Sequence, residues 1–192
     1  MYLKAFLLML VCFSATANNW HLDKNFSKLN FTTVKNNAIG ENHQFRQFDM
    51  LVKSDGSFEV TINLDSVDTA IEIRDQRIKQ HVFKTDKKVI ATLKGEVDLN
   101  AFLESKQALS SLSTTATLLL AGHKTEILVE ITAQRVNAET IRIVSSSPVL
   151  LSAKKLKLVE GFDKLQELAG LQSIDYIVPV TFDFTLKKVV SI

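Results

Sequence analysis

Few residues of this 192-residue chain have the types and spacing that reaction chemistry requires. Its four histidines, His21, His43, His81 and His123, stand far apart. None forms a His-x-His or His-x-x-x-His pair, so no metal site is expected. Cys12 is the only cysteine, which excludes a disulfide scaffold and a thiolate zinc site. No serine occupies a G-x-S-x-G elbow, no glycine-rich phosphate loop is present, and no pair of carboxylates stands out as an acid and base. Neither an enzyme nor a cofactor site is therefore expected. The polar residues that call for an explanation are Arg74, Asp75 and Arg77. They follow Ile71 and precede Ile78 and Val82, which share one stripe if the segment is helical, so Arg74 and Asp75 border that stripe. Charges beside a buried face need partners. The first reading is that they fasten the helix to its surroundings; the second is that Arg74, with Arg77, meets a polar or anionic group of a bound molecule. His43 is likewise read either as a hydrogen-bonding residue of a rim or as a group that orients a ligand.

The elements that position these residues are legible from a change of period. From Phe58 to Leu64 apolar residues alternate strictly, the pattern of a half-buried strand. Ser66-Val67-Asp68-Thr69 follows as a turn with capping chemistry. Asp68 and Thr69 are good N-cap types, and Glu72 lies three residues after Thr69 as in a capping box, which predicts a helix from about Ala70. Before this unit, strands are expected at Trp20–Asp23, Leu29–Val34 and His43–Lys53, with a loop from Asn36 to Asn42 and a tight Ser54-Asp55-Gly56-Ser57 connection. After it, strands are expected at Val89–Val97, Leu112–Leu120, Thr125–Arg135, Ile141–Ile143 and Val178–Lys188. Asn100–Leu109 reads as a short helix or a long loop. Ser145-Ser146-Ser147-Pro148 interrupts, and Leu158–Leu171 reads as an amphipathic helix with Gly170 near its end.

About eight one-sided strands with turn signals roughly every ten residues make an all-β chain, an antiparallel barrel or sandwich with two short helical inserts. Phe48, Met50, Phe58, Phe182 and Phe184 would make its interior apolar. A small barrel is either packed solid or holds one ligand, and the strand pattern leaves both open.

The N-terminus reads as a secretory signal peptide. Lys4 precedes an apolar run, Ala5–Phe13, too short to span a bilayer, and Ala15-Thr16-Ala17 is a small-x-small cleavage site. Residues 1–17 are thus the expected signal peptide, and residues 18–192 one domain in the bacterial periplasm or medium. Loss of Lys4 from 23 basic residues leaves 22 against 21 acidic ones, a net charge of +1. No basic patch suggests nucleic acid, no stable membrane span is expected, and a homodimer is left open.

Several of these segments together resemble the YceI-like family of secreted bacterial proteins, whose founding members bind polyisoprenoid lipids in a lipocalin-like barrel. The resembling residues are Trp20-His21-Leu22-Asp23 with Ser27 and Phe31, Glu41-Asn42-His43-Gln44-Phe45, Asp55-Gly56, Ile62 to Thr69, Ile73 to Arg77 with Phe83, Ala169-Gly170-Leu171, Ser173-Ile174 and Val178-Pro179-Val180. Two departures bear on the ligand and not on the fold: Glu126 stands where a proline is usual, and Lys84 to Lys88 replaces a proline-aromatic run. The resemblance implies a lipocalin-like antiparallel β-barrel with an elongated apolar channel for a long-chain isoprenoid lipid, a polyprenyl lipid or isoprenoid quinone. The expected channel wall is Phe31, Phe48, Met50, Phe58, Val60, Ile62, Leu118, Ile127, Val129, Phe182 and Phe184, with Arg74, Arg77 and His43 at the headgroup or mouth. The alternative is a filled barrel serving as a periplasmic stress-response or protein-interaction module.

Overall fold

The computed structural model describes residues 18–86, 89–105 and 107–190, so the expected signal peptide and Cys12 lie outside the described residues. The chain folds into one closed antiparallel sheet of eight staves, four of them broken in the middle. The first stave is β1 (Asn18–Leu22) and β2 (Lys28–Lys35), separated by a single 3-10 turn, and both halves pair with the last strand. The second is β3 (Ile39–Phe45) and β4 (Phe48–Val52); the third is β5 (Ser57–Asn63) and β6 (Val67–Asp68). Then follow β7 (Ile90–Glu96), β8 (Leu109–Leu120) and β9 (His123–Asn137). Strands β10 (Thr140–Ser145) and β11 (Val149–Ser152) form the seventh stave, broken before Pro148, which has no N–H to donate to a ladder. The last, β12 (Ile177–Val190), closes the barrel between them and the first stave.

Local chemistry makes the hairpins. In the β4–β5 turn Gly56 takes φ 86°, and Asp55 Oδ1 accepts from the Ser57 backbone N–H at 2.9 Å. Alternation then puts Met50, Val52, Phe58, Val60, Val129, Ile131, Ile141 and Ile143 inside.

The break between β3 and β4 differs from the expected continuous strand His43–Lys53. Inward positions are odd in β3 (His43, Phe45) and even in β4 (Phe48, Met50, Val52). Arg46-Gln47 shifts the phase, facing the 3-10 turn Leu64–Ser66 on the neighbouring stave through Arg46 N–H to Ser66 O and Asn63 N–H to Gln47 O. The expected loop at 36–42 also extends less far, since β3 begins at Ile39.

Besides the 3-10 turns, three helical segments are present among the described residues where two were expected. The first is α1 (Glu72–Arg77), continued as a π-helix over Ile78–Phe83. The added residue per turn lets Ile78, Val82 and Phe83 all be buried. The expected capping box does not form. The residue before α1 is Ile71, which makes no side-chain cap, and Ala70 sits at φ 59°. Asp75 instead reaches back to accept from Thr69 N–H at 2.9 Å and Thr69 Oγ1 at 2.5 Å, while Asp68 Oδ1 accepts from Ala70 N–H at 3.0 Å. The second helix, α2 (Leu99–Glu104), occupies the stretch that read as helix or loop; the third, α3 (Val159–Ala169), ends at Gly170 with φ 62°. Among the described residues no helix is long and apolar enough to cross a membrane.

The interior divides into two apolar clusters. One is solid: Trp20, Met50, Phe58, Phe184 and Leu186 pack against Leu99 and Phe102 of α2. Arg135 anchors this plug, donating through Nη2 to the carbonyls of Phe102, Leu103 and Ser105 and lying over the Phe102 ring. The other cluster surrounds a hollow.

Candidate functional site

The hollow is a cavity of about 540 Å³, within the range of small-molecule sites. One wall is the inner face of β2 and β3, carrying Phe31, His43 and Phe45. Opposite elements give Ile62, Leu64, Ala91, Leu118 and Leu120. The α1–π segment covers it with Ile78, Val82 and Phe83, and α3 with Phe162, Leu165 and Leu168. Phe31, Phe45 and Phe83 form a chain of rings with centroids 5.3 and 6.0 Å apart. The helices approach closely because residue 161 is glycine: a Cβ there would lie 2.4 Å from His81 O.

The polar part of the wall is confined to one side. Its members are Thr33, Lys35, Glu41, His43, Arg74 and Arg77, on β2, β3 and α1. Glu41 Oε2 accepts from Lys35 Nζ and from Arg74 Nη1, each at 2.9 Å. Arg74 Nη2 donates to Thr69 O at 2.7 Å, and Arg77 Nη1 donates to Leu168 O at 3.1 Å, joining α1 to α3. Thr33 Oγ1 lies 2.8 Å from His43 Nε2.

This sheet, hollow at one end, has known counterparts. The YceI-like domain matches residues 20–186. The chain belongs to the YceI-like family. Among solved structures, a polyisoprenoid binding domain from Saccharophagus degradans, implicated in plant cell wall breakdown, is 31% identical, covering 88% of this chain and 97% of that one, with a TM-score of 0.84. Two more distant structures share the fold. Burkholderia cenocepacia BcnA is 16% identical, over 85% of this chain and 98% of that one, with a TM-score of 0.68. The Campylobacter jejuni YceI protein is 15% identical, over 78% and 84%, with a TM-score of 0.57. No curated protein sequence matches the chain.

Within this YceI-like barrel the residues expected to line a channel separate into two groups. Phe31, Ile62 and Leu118 are on the cavity wall. Phe48, Met50, Phe58, Val60, Val129, Phe182 and Phe184 are not: they belong to the solid half, where Phe48, Phe184 and Phe182 stack in sequence. Ile127 packs between the clusters and does not line the cavity. The reason is depth along each stave, because inward alternation says which face a residue occupies but not which end of the barrel. The three residues expected at the headgroup or mouth, Arg74, Arg77 and His43, all line the cavity. Sequence reading missed Phe45, Phe83, Phe162 and the α3 leucines. Phe45 and Phe48 are three apart, so they cannot share one face of a regular strand; that spacing was a usable sign of the phase shift.

The polar side has defined charge states. Burial, and then the Arg74 guanidinium, hold the His43 imidazole below its ordinary value, so it is neutral near pH 7. The Lys35 ammonium, helped by Arg74, holds the Glu41 carboxyl below its ordinary range. Arg74 thus fastens α1 to β3 and to the Thr69 carbonyl. Its replacement in Arg74→Met removes the donor to the Thr69 carbonyl and leaves Glu41 with Lys35 alone, and is expected to lower stability by about 1–3 kcal/mol in denaturant titrations; a variant as stable as the parent would refute the fastening role.

Asp68, at the turn into α1, accepts from Gln44 Nε2 at 2.7 Å, Arg46 Nε at 2.8 Å and the Ala70 N–H. These bonds push its pKa from 3.8 down to about 2. A depressed carboxylate stabilises the fold fully above its unfolded value and loses that contribution as pH falls through its folded value. The melting temperature should therefore drop between pH 3.8 and about 2, and Asp68→Asn should flatten that part of the profile. Parallel profiles for parent and variant would show that Asp68 contributes nothing there.

Proposed function

We propose that this protein binds a long-chain isoprenoid-type lipid in the half-barrel cavity and carries it outside the cytoplasm without chemical conversion. The observation that carries this reading is the cavity itself: about 540 Å³ enclosed by aliphatic and aromatic side chains, with polar groups gathered on one side. An amphiphile has the matching division. Burial of its chain supplies affinity at about 25 cal/mol per Å², and its polar end finds the β2–β3–α1 side. The 31% identical domain that is described as polyisoprenoid binding supports the choice of chain. The apolar N-terminal run with its small-x-small site supports export to the periplasm or medium.

The test is native mass spectrometry of protein purified from a bacterial host, followed by denaturation and lipid analysis. One long-chain isoprenoid lipid released per protein is expected. Protein that emerges empty, and that takes up no polyprenyl lipid from vesicles, would contradict the carrier reading. Recovery of a protein partner whose binding is unchanged by lipid would favour an interaction module instead.

A further inference from the structure

The hollow has one blind end and one open end. Phe45, Ile62, Leu151 and Val180 line it and also pack against the solid cluster, and Leu29, a member of that cluster, lines it too. These five residues are its floor. Behind them Phe48, Phe184 and Phe182 stack with centroids 5.4 and 4.8 Å apart, and Phe102 of α2, held by Arg135, packs in the same cluster. At the other end the wall reaches the surface: Ile71 and Ile73 line the hollow yet are 46% and 53% exposed. The inward face of β2 runs the same way, from Leu29 and Phe31, both buried, to the half-buried Thr33 and Lys35. An amphiphile therefore enters tail first, and its tail stops at the floor.

Depth and volume set how much tail fits. Lys35 lies six residues beyond Leu29 on β2. At about 3.3 Å per residue that is about 20 Å of strand, or about 15 Å of depth for a stave tilted by about 40°. An extended isoprene unit advances about 5 Å over four bonds of about 1.5 Å, so about three units reach the floor. Volume gives a similar answer. At about 30 Å³ per carbon, the share of a small molecule in a liquid, five carbons need about 150 Å³. The cavity of about 540 Å³ then holds between three and four such units.

We infer that the protein selects its lipid by chain length, taking one tail of about three to four isoprene units, about fifteen to twenty carbons, with the floor as the stop. This rests on the reading that the hollow holds an isoprenoid-type lipid. A unit that moves from a bilayer into the cavity exchanges one dry apolar setting for another and loses little. A unit with no room below stands in water at the opening, and each one lowers affinity by about tenfold or more. Phe45, Ile62 and Val180 are then specificity-determining residues.

The test is a competition. Phosphatidylcholine vesicles carry equal amounts of farnesol, geranylgeraniol and solanesol, which have three, four and nine units and the same hydroxyl end. The purified protein is mixed with them, and native mass spectrometry reads which prenol is bound. Farnesol and geranylgeraniol should fill the protein, and solanesol should be taken up at least about a hundredfold less. Ile62→Phe adds bulk to the floor and should shift the bound ratio towards farnesol by about threefold or more. Where Ile62→Phe fails to fold, the competition on the parent protein decides alone. Solanesol bound as well as the shorter prenols would overturn the proposal and leave the carrier reading intact, as would an unmoved ratio in a folded Ile62→Phe protein. Uptake of none of the three would overturn the carrier reading and the proposal with it.

Discussion

Leu118→Trp is expected to remove lipid binding and keep the barrel. Leu118 is buried on β8, pairs with Leu93 on β7, and faces the cavity. A larger side chain at this position has empty space to enter, so the overpacking that usually accompanies a small-to-large change is avoided. The indole then occupies volume that a lipid chain would fill. Displacing about 110 Å² of buried ligand surface, at about 25 cal/mol per Å², costs about 2.7 kcal/mol, or roughly a hundredfold in affinity. The melting temperature should move by less than about 4 °C. Val60→Trp is the informative contrast. Val60 is equally inward, but it pairs with Met50 and Leu93 in the solid half. There the same ring has nowhere to go, and a loss of about 1–3 kcal/mol or more is expected. Lipid titrations and thermal melts of both variants decide the matter. A Leu118→Trp protein that still binds lipid at parental affinity would show that the ligand lies elsewhere.

Gly161→Ala should be the most destabilising single methyl group in the cavity's cover. The new Cβ would stand 2.4 Å from His81 O and 2.8 Å from Val82 Cα. Both contacts are backbone, so neither can rotate away, and α3 must move off the π-helical segment. The expected cost is about 2–3 kcal/mol, which for a chain of this size lowers the melting temperature by roughly 4–12 °C. Because α3 carries Leu165 and Leu168 into the cavity, lipid affinity should fall as well. Gly40→Ala is the matched control: nothing lies within 4 Å of its added Cβ. If the two substitutions had equal effects, the close approach of the helices would not be what holds the cover in place.

Much of the barrel was legible in the residues because strand facing is a local property. The alternation of Phe58 to Leu64, and of Ile127 to Ala133, states which side chains point in whatever the rest of the chain does. Asp55-Gly56 likewise sets its own hairpin. The same local logic failed at Thr69, where a capping box with Glu72 was the reasonable expectation. Asp75 displaced it by reaching back to the Thr69 N–H and hydroxyl. Arg74, Arg77 and His43, expected from the sequence at a headgroup site or mouth, all line the cavity.

By itself, then, the sequence determined the number of staves, the inward faces of the regular strands, the family and the charged residues beside α1. Only the tertiary structure decided which half of the barrel is solid and which is hollow. That outcome depends on phase shifts such as Arg46-Gln47 and on contacts between distant residues: Phe102 plugging one end, Gly161 seated under His81 at the other. Alternation has a period of two and carries no information about depth along the barrel axis, so Phe31 and Phe184 look alike in the chain. One faces a cavity and the other a packed core because of what lies above them in space.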